Sequence, residues 1–157
     1  MSKPKPKPKP KPKPMPLRRP LLLTGALLVF ALPLAAQVPR TPSPPEARVY
    51  FVEPKDGAVV KGPVRIVMGL SGMGVAPAGA DFAKTGHHHI LVDVDRPVLD
   101  APLPADDRHR HFGGGQTEAV LTLPPGRHTL QLVLGDKNHV PHQPPVVSER
   151  ITITVQP

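Results

Sequence analysis

LTLPPGRHTLQLVL, residues 121–134, decides the fold class. Ala119, Leu121 and Leu123 alternate with other residues, and Pro124-Pro125-Gly126 then makes a tight turn. Beyond the turn His128, Leu130, Leu132 and Leu134 fall on one face. A period of two marks half-buried strands, and the proline–glycine turn sets one such strand apart from the next.

The same period extends outward in both directions. Val64, Ile66, Met68 and Leu70 alternate, as do Ile90, Val92 and Val94 within HHHILVDV, residues 87–94. Ile151, Ile153 and Val155 do so at the end of the chain, with Thr152 and Thr154 opposite. RVYFVE, residues 48–53, is β-branched and aromatic, and PKDGAVVKG, residues 54–62, is rich in turn formers. No stretch of ten or more residues has a helical period. Six clear strands therefore predict an all-β fold, an immunoglobulin-like antiparallel β-sandwich of about seven strands. VLDAPL, residues 98–103, is the candidate seventh, a short edge strand that Pro97 and Pro102 suit. EPKDGAVVKGPVRI (53–66) and PPGRHTLQLVL (124–134) also resemble two stretches common in bacterial immunoglobulin-like domains. That resemblance implies a fold and no function.

Residues 1–36 read as a cleaved signal peptide. A Lys-Pro repeat from Lys3 to Pro14 and the pair Arg18-Arg19 precede an apolar run from Leu21 to Leu34, and Ala35-Ala36 follow. The run is too short for a membrane span, which needs about 20 residues, and it contains Pro33. Cleavage is expected after Ala36, with Met1 or Met15 as the start. The layout predicts export to the periplasm or medium by the general secretion route, with no membrane anchor after cleavage. QVPRTPSPPEA, residues 37–47, reads as a Pro-rich tether, which leaves residues 48–156 as the sandwich domain.

Charge follows from this division. The whole chain is +8, but eight of its 20 Lys and Arg lie in residues 1–36, and all 12 Asp and Glu lie beyond. The remainder carries 12 of each sign, so a nucleic-acid partner is not expected. The chain has no cysteine and no tryptophan, so the core must come from Val, Ile and Leu.

The chemistry sits in the histidines. Three groups lie in or beside expected loops: His87, His88 and His89; His109 and His111; His139 and His142. Alternation turns His88 inward with Ile90, so His87 and His89 share the other face. Positions i and i+2 on one strand face can chelate one metal ion, and His109 and His111 repeat the spacing. His87, His89, His109, His111, His139 and His142 are thus the candidate ligands, of which three or four suffice. Glu118 and Asp136 are candidate oxygen ligands. Without thiolates the fitting ions are Zn(II), Cu(II) and Ni(II), with copper or zinc expected. Singly, each histidine also suits a hydrogen-bonded structural role, and His128 in the PPGRHTL stretch is read that way. Convergence of the three groups depends on strand parity: an edge strand at 98–103 would bring all three to one end of the sandwich.

Other chemistry is poorly supported. Met73 stands where a nucleophile elbow around Ser71 would need glycine. Gly113-Gly114-Gly115 does not lead into a helix, so it makes no phosphate loop. Asp93 and Asp95 have nothing nearby to separate their roles as acid and base. No catalytic residue is assigned.

SGMGVAPAGADFAKTGHHHILVD (71–93), HRHFGGGQTE (109–118), LPPGRHTLQLVLGDKNHVPH (123–142) and SERITITV (148–155) together resemble the exported bacterial domain-of-unknown-function family 4399. The resemblance spans about residues 49–155 and implies an exported single domain without implying an activity. HHH and HRHFGG also resemble, superficially, the histidine strands of copper–zinc superoxide dismutases, but the disulfide cysteines and electrostatic loop of that enzyme are absent. The expectation is an exported, non-catalytic binding domain for copper or zinc. The alternative is a cell-envelope interaction module for a glycan or protein, in which the histidines order the loops. A dismutase-like metalloenzyme is the third and weakest reading.

Overall fold

A computed structural model describes residues 39–157, together with the single residue Lys11. The expected signal peptide, with both candidate starts and its cleavage point, otherwise lies outside the described residues.

Nine strands and no helix make up the described residues. They are β1 (Arg48–Glu53), β2 (Val59–Lys61), β3 (Val64–Ser71), β4 (Gly74–Val75), β5 (Thr85–Val92), β6 (His109–His111), β7 (Glu118–Leu121), β8 (Gly126–Gly135) and β9 (Ile151–Gln156). One sheet has the order β1-β3-β7 and is antiparallel throughout. The other has the order β2-β9-β8-β5-β4, with β6 also paired to β5. Its pairings are antiparallel except β2 with β9 and β4 with β5.

The two sheets bury one shared core. Val49 and Phe51 of β1, Val64, Ile66 and Met68 of β3 and Leu121 of β7 meet Ile90, Val92, Leu130, Leu132, Leu134, Ile153 and Val155 from the second sheet. Every one of these positions belongs to the period-two pattern, so alternation alone selected the inner face. The fold is an all-β sandwich of nine strands, two more than the sequence suggested.

Beyond the six clear strands of the sequence stand β2, β4 and β6, none longer than three residues. The expected edge strand is not among them: residues 98–103 form no strand. Pro97, Pro102 and Pro104 lack the N–H that a ladder requires. This segment instead folds across the outer face of the second sheet. Leu103 is buried there with Leu91 and Val133, and Val94, Leu99 and Val147 pack against them. The center of β5 is therefore buried on both faces, which half-buried alternation did not anticipate.

The Pro-rich stretch read as a tether enters the described residues at Pro39. From Arg40 on it lies against residues 141–144. Pro42 bridges Gln143 in parallel, the Ser43 N–H donates to the Gln143 carbonyl at 3.1 Å, and the Gln143 N–H donates to the Thr41 carbonyl at 2.9 Å.

Candidate metal centre

β5 carries the three consecutive histidines inside the strand, not ahead of it. His88 lies opposite Leu134 of β8 and points with Ile90 into the core. Burial pushes its imidazole below the ordinary pKa. His87 and His89 face outward, as their parity requires, yet both are fully buried because the connections that follow β5 and β8 cover that face.

β6 brings the second group alongside. His111 pairs directly with His89, and His109 with Leu91. Residues opposite one another in an antiparallel pair share a face, so His111 joins the outward pair. The donor nitrogens of His87, His89 and His111 all lie within 4.8 Å of one another. The Nε2 atoms of His87 and His89 are 3.0 Å apart. Metal–imidazole bonds are about 2.0–2.1 Å, so two nitrogens on one ion sit roughly 3 Å apart. The third group adds His139 at the rim. Its ring centroid is 4.7 Å from that of His111, 5.1 Å from His87 and 6.0 Å from His89.

Burial is the chief reason that His87, His89 and His111 hold their protons less readily than an ordinary imidazole. Burial, reinforced by the neighboring His111 and His139, pushes His87 down to about 4, with Asp136 opposing. Burial and then His87, His111 and His139 push His89 down to about 3. His111, more exposed, is lowered by burial and by His139. A neutral imidazole keeps the lone pair that a metal ion needs.

Two glycines make room for the cluster. A Cβ at Gly113 would stand 2.3 Å from His111 Cε1, and one at Gly135 would stand 2.9 Å from His89 Nε2. The glycine run after β6 therefore accommodates an imidazole, with no phosphate involved. His139 itself has φ of 65°, a left-handed backbone that few residues other than glycine adopt. Its conformation is fixed on both sides: its N–H donates to the Asp136 carbonyl at 2.9 Å, and its carbonyl accepts from the Leu103 N–H at 2.9 Å.

The chain matches the family described as Domain of unknown function (DUF4399) over residues 66–156. The chain belongs to this family. No curated protein matches the chain. Among solved structures, the endo-beta-1,4-mannanase from Thermotoga petrophila is similar, with 19% identity and a TM-score of 0.43, over 71% of this chain. This chain spans 20% of that enzyme, and nothing of the enzyme's activity carries over.

Four of the six candidate histidines of this DUF4399 domain therefore meet: His87, His89, His111 and His139. The other two do not join them. The His109 Nδ1 is held by Asp106 Oδ1 at 2.9 Å. His142 is fully buried, with Nδ1 turned to the Leu134 carbonyl at 3.3 Å and Nε2 to the Thr85 carbonyl at 3.2 Å. Glu118 lies in the first sheet, paired with Arg65 at 2.9 Å. Asp136 is close to His87 but both its oxygens are engaged. Oδ1 accepts from the N–H groups of Asn138 at 2.8 Å and Val140 at 3.0 Å, and Oδ2 from the Thr41 hydroxyl at 2.6 Å. Its part is to shape the loop that presents His139. The histidines meet over the outer face of a sheet, a route that does not need the missing edge strand. Sequence reading took Gly113 only as part of a glycine run that is no phosphate loop, and it did not single out Gly135, Thr41 or Leu103.

Proposed function

We propose that this domain binds one divalent transition-metal ion, copper or zinc, between His87, His89 and His111, with His139 as the fourth nitrogen. The observation that carries the reading is a contrast between histidines. His128 and His142 are structural, and both nitrogens of each ring face protein oxygens. His87 and His89 instead turn their Nε2 atoms toward each other, and neither Nδ1 has a hydrogen-bond partner among the described residues. Buried polar groups cost free energy unless they are satisfied. A cation shared by the facing lone pairs would satisfy the Nε2 atoms, and an all-imidazole set suits copper or zinc.

The role is that of an exported, non-catalytic binding domain. Export rests on the pattern of residues 1–36. An envelope interaction module with purely structural histidines accounts less well for two buried Nε2 atoms turned toward each other with the His111 ring beside them.

The test is direct. The purified, untagged protein is titrated with Zn(II) and with Cu(II), and its thermal unfolding is followed with each ion and with EDTA. One ion per chain is expected, with a rise in melting temperature that EDTA reverses. Ligand at 100 times its Kd stabilizes by about 2.7 kcal/mol, an easily read shift. No shift and no bound metal at large excess of either ion would sink the proposal.

A further inference from the structure

The geometry points to Thr41 as a positioning residue for the fourth nitrogen of the site, so that the segment ahead of the sandwich is part of the metal centre's frame. This inference rests on the metal-binding reading above.

His139 sits on a short loop that has to be held from outside. The loop closes on itself through the Asp136 N–H to the Val140 carbonyl at 2.9 Å and a bridge between Gly135 and Pro141. Its organizer is the buried Asp136 carboxylate. One oxygen gathers two backbone N–H groups of the loop, and the other, among the described residues, is fixed only by the Thr41 hydroxyl. A carboxylate held on both oxygens has one orientation; held on one, it can rotate about its last torsion. Thr41 thus fixes the carboxylate, the carboxylate fixes the loop, and the loop fixes His139.

Thr41 is itself anchored. Arg40 donates from Nε to the Pro141 carbonyl at 3.0 Å and from its guanidinium to the His142 carbonyl. The Ser43 hydroxyl donates to the Pro144 carbonyl at 2.7 Å. With the parallel bridge from Pro42 to Gln143, these contacts make residues 40–43 a strap along the far side of the His139 loop. Neither Thr41 nor Arg40 is a metal ligand. They act on the metal through Asp136 and the loop, as outer partners do in known metal sites.

Three variants of the whole chain test this: Thr41→Val, which keeps the shape and removes the hydroxyl; Thr41→Ser, which restores it; and His139→Ala as reference. Zn(II) affinity is measured by chelator competition, and the coordination of added Cu(II) by its electron paramagnetic resonance spectrum. Thr41→Val is expected to weaken Zn(II) binding about 10-fold or more. Its Cu(II) spectrum should move in the direction that His139→Ala moves it, and Thr41→Ser should restore both readings.

Parental affinity in Thr41→Val overturns the inference. So does an equal loss in Thr41→Ser, or weaker binding with an unchanged Cu(II) spectrum. Should Thr41→Val not fold, Arg40→Gln takes its place and is expected to shift both readings the same way; unchanged readings there overturn the inference. If the parent binds neither ion, the proposed function itself falls, and this inference with it.

Discussion

The Nε2 atoms of His87 and His89 lie 3.0 Å apart on a sheet face that solvent does not reach. Neither ring has a protein partner for its Nδ1 among the described residues. Such a pair contributes little to an apo fold and much to an ion held between the rings. The double variant His87→Leu/His89→Leu should therefore separate the two. Replacing both partners of a buried polar pair by apolar groups of similar size is close to neutral or stabilizing. The metal-free variant is expected to melt at or above the parental temperature, while the Zn(II)- or Cu(II)-induced rise disappears. Calorimetry with and without metal reads both quantities. A double variant that still gains the full metal-induced rise would remove the pair from the site.

Acid should weaken the metal-free protein in a defined window. Burial holds His87 at about 4 and His89 at about 3 in the folded protein, against an ordinary 6.5. Both folded values are depressed, so above the ordinary value neither state gains protons at these rings and stability is flat. Below it the unfolded chain takes up protons that the folded rings refuse. Stability then falls by up to about 1.4 kcal/mol per pH unit for each histidine. The loss from His87 is complete near pH 4 and that from His89 near pH 3. Urea unfolding of metal-free protein from pH 7.5 to 4.5 measures the slope. The double variant His87→Leu/His89→Leu isolates their share, and identical slopes for parent and variant would contradict the expectation.

Gly113→Ala and Gly135→Ala should differ in kind. The added methyl at Gly113 meets chiefly the ring of His111, which is exposed and can swing away, with Ala78 Cβ at 3.3 Å. Little stability is expected to be lost, but a ligand is displaced, and Zn(II) affinity should drop. At Gly135 the methyl meets the buried His89 ring at 2.9 Å and the backbone of His139 at 3.4 Å. Neither can yield freely, so a cost of about 1–3 kcal/mol in stability is expected as well. Denaturant midpoints paired with Zn(II) titrations distinguish the two patterns.

The two histidines outside the cluster provide a matched contrast. His109→Ala breaks a pair with a half-exposed carboxylate, Asp106, and should change stability by less than about 1 kcal/mol. His142→Ala empties a fully buried site and frees the Leu134 and Thr85 carbonyls. Lost packing and hydrogen bonding should cost about 2–4 kcal/mol. Both variants are expected to keep one metal per chain. Loss of stoichiometric binding in His109→Ala would mean that the ligand set has been drawn one residue short.

Alternation along the chain determined a great deal without tertiary information. It gave the all-β class, all six long strands and the inner face, because a strand's side chains alternate strictly and only one set can enter a sandwich core. The same parity divided the three consecutive histidines into one inward ring and an outward pair. It could not tell that the outward pair was buried. That depends on which loops lie over the sheet, and loop paths are set by long-range contacts such as Leu103 to His139 and Thr41 to Asp136. Nor did the sequence choose among six histidines. His109 repeats the i, i+2 spacing of His87 and His89 and His142 lies three residues from His139, yet a carboxylate takes one and two carbonyls take the other. Local spacing fixes the direction in which a side chain leaves its strand; what it meets there is decided by segments far away in the chain.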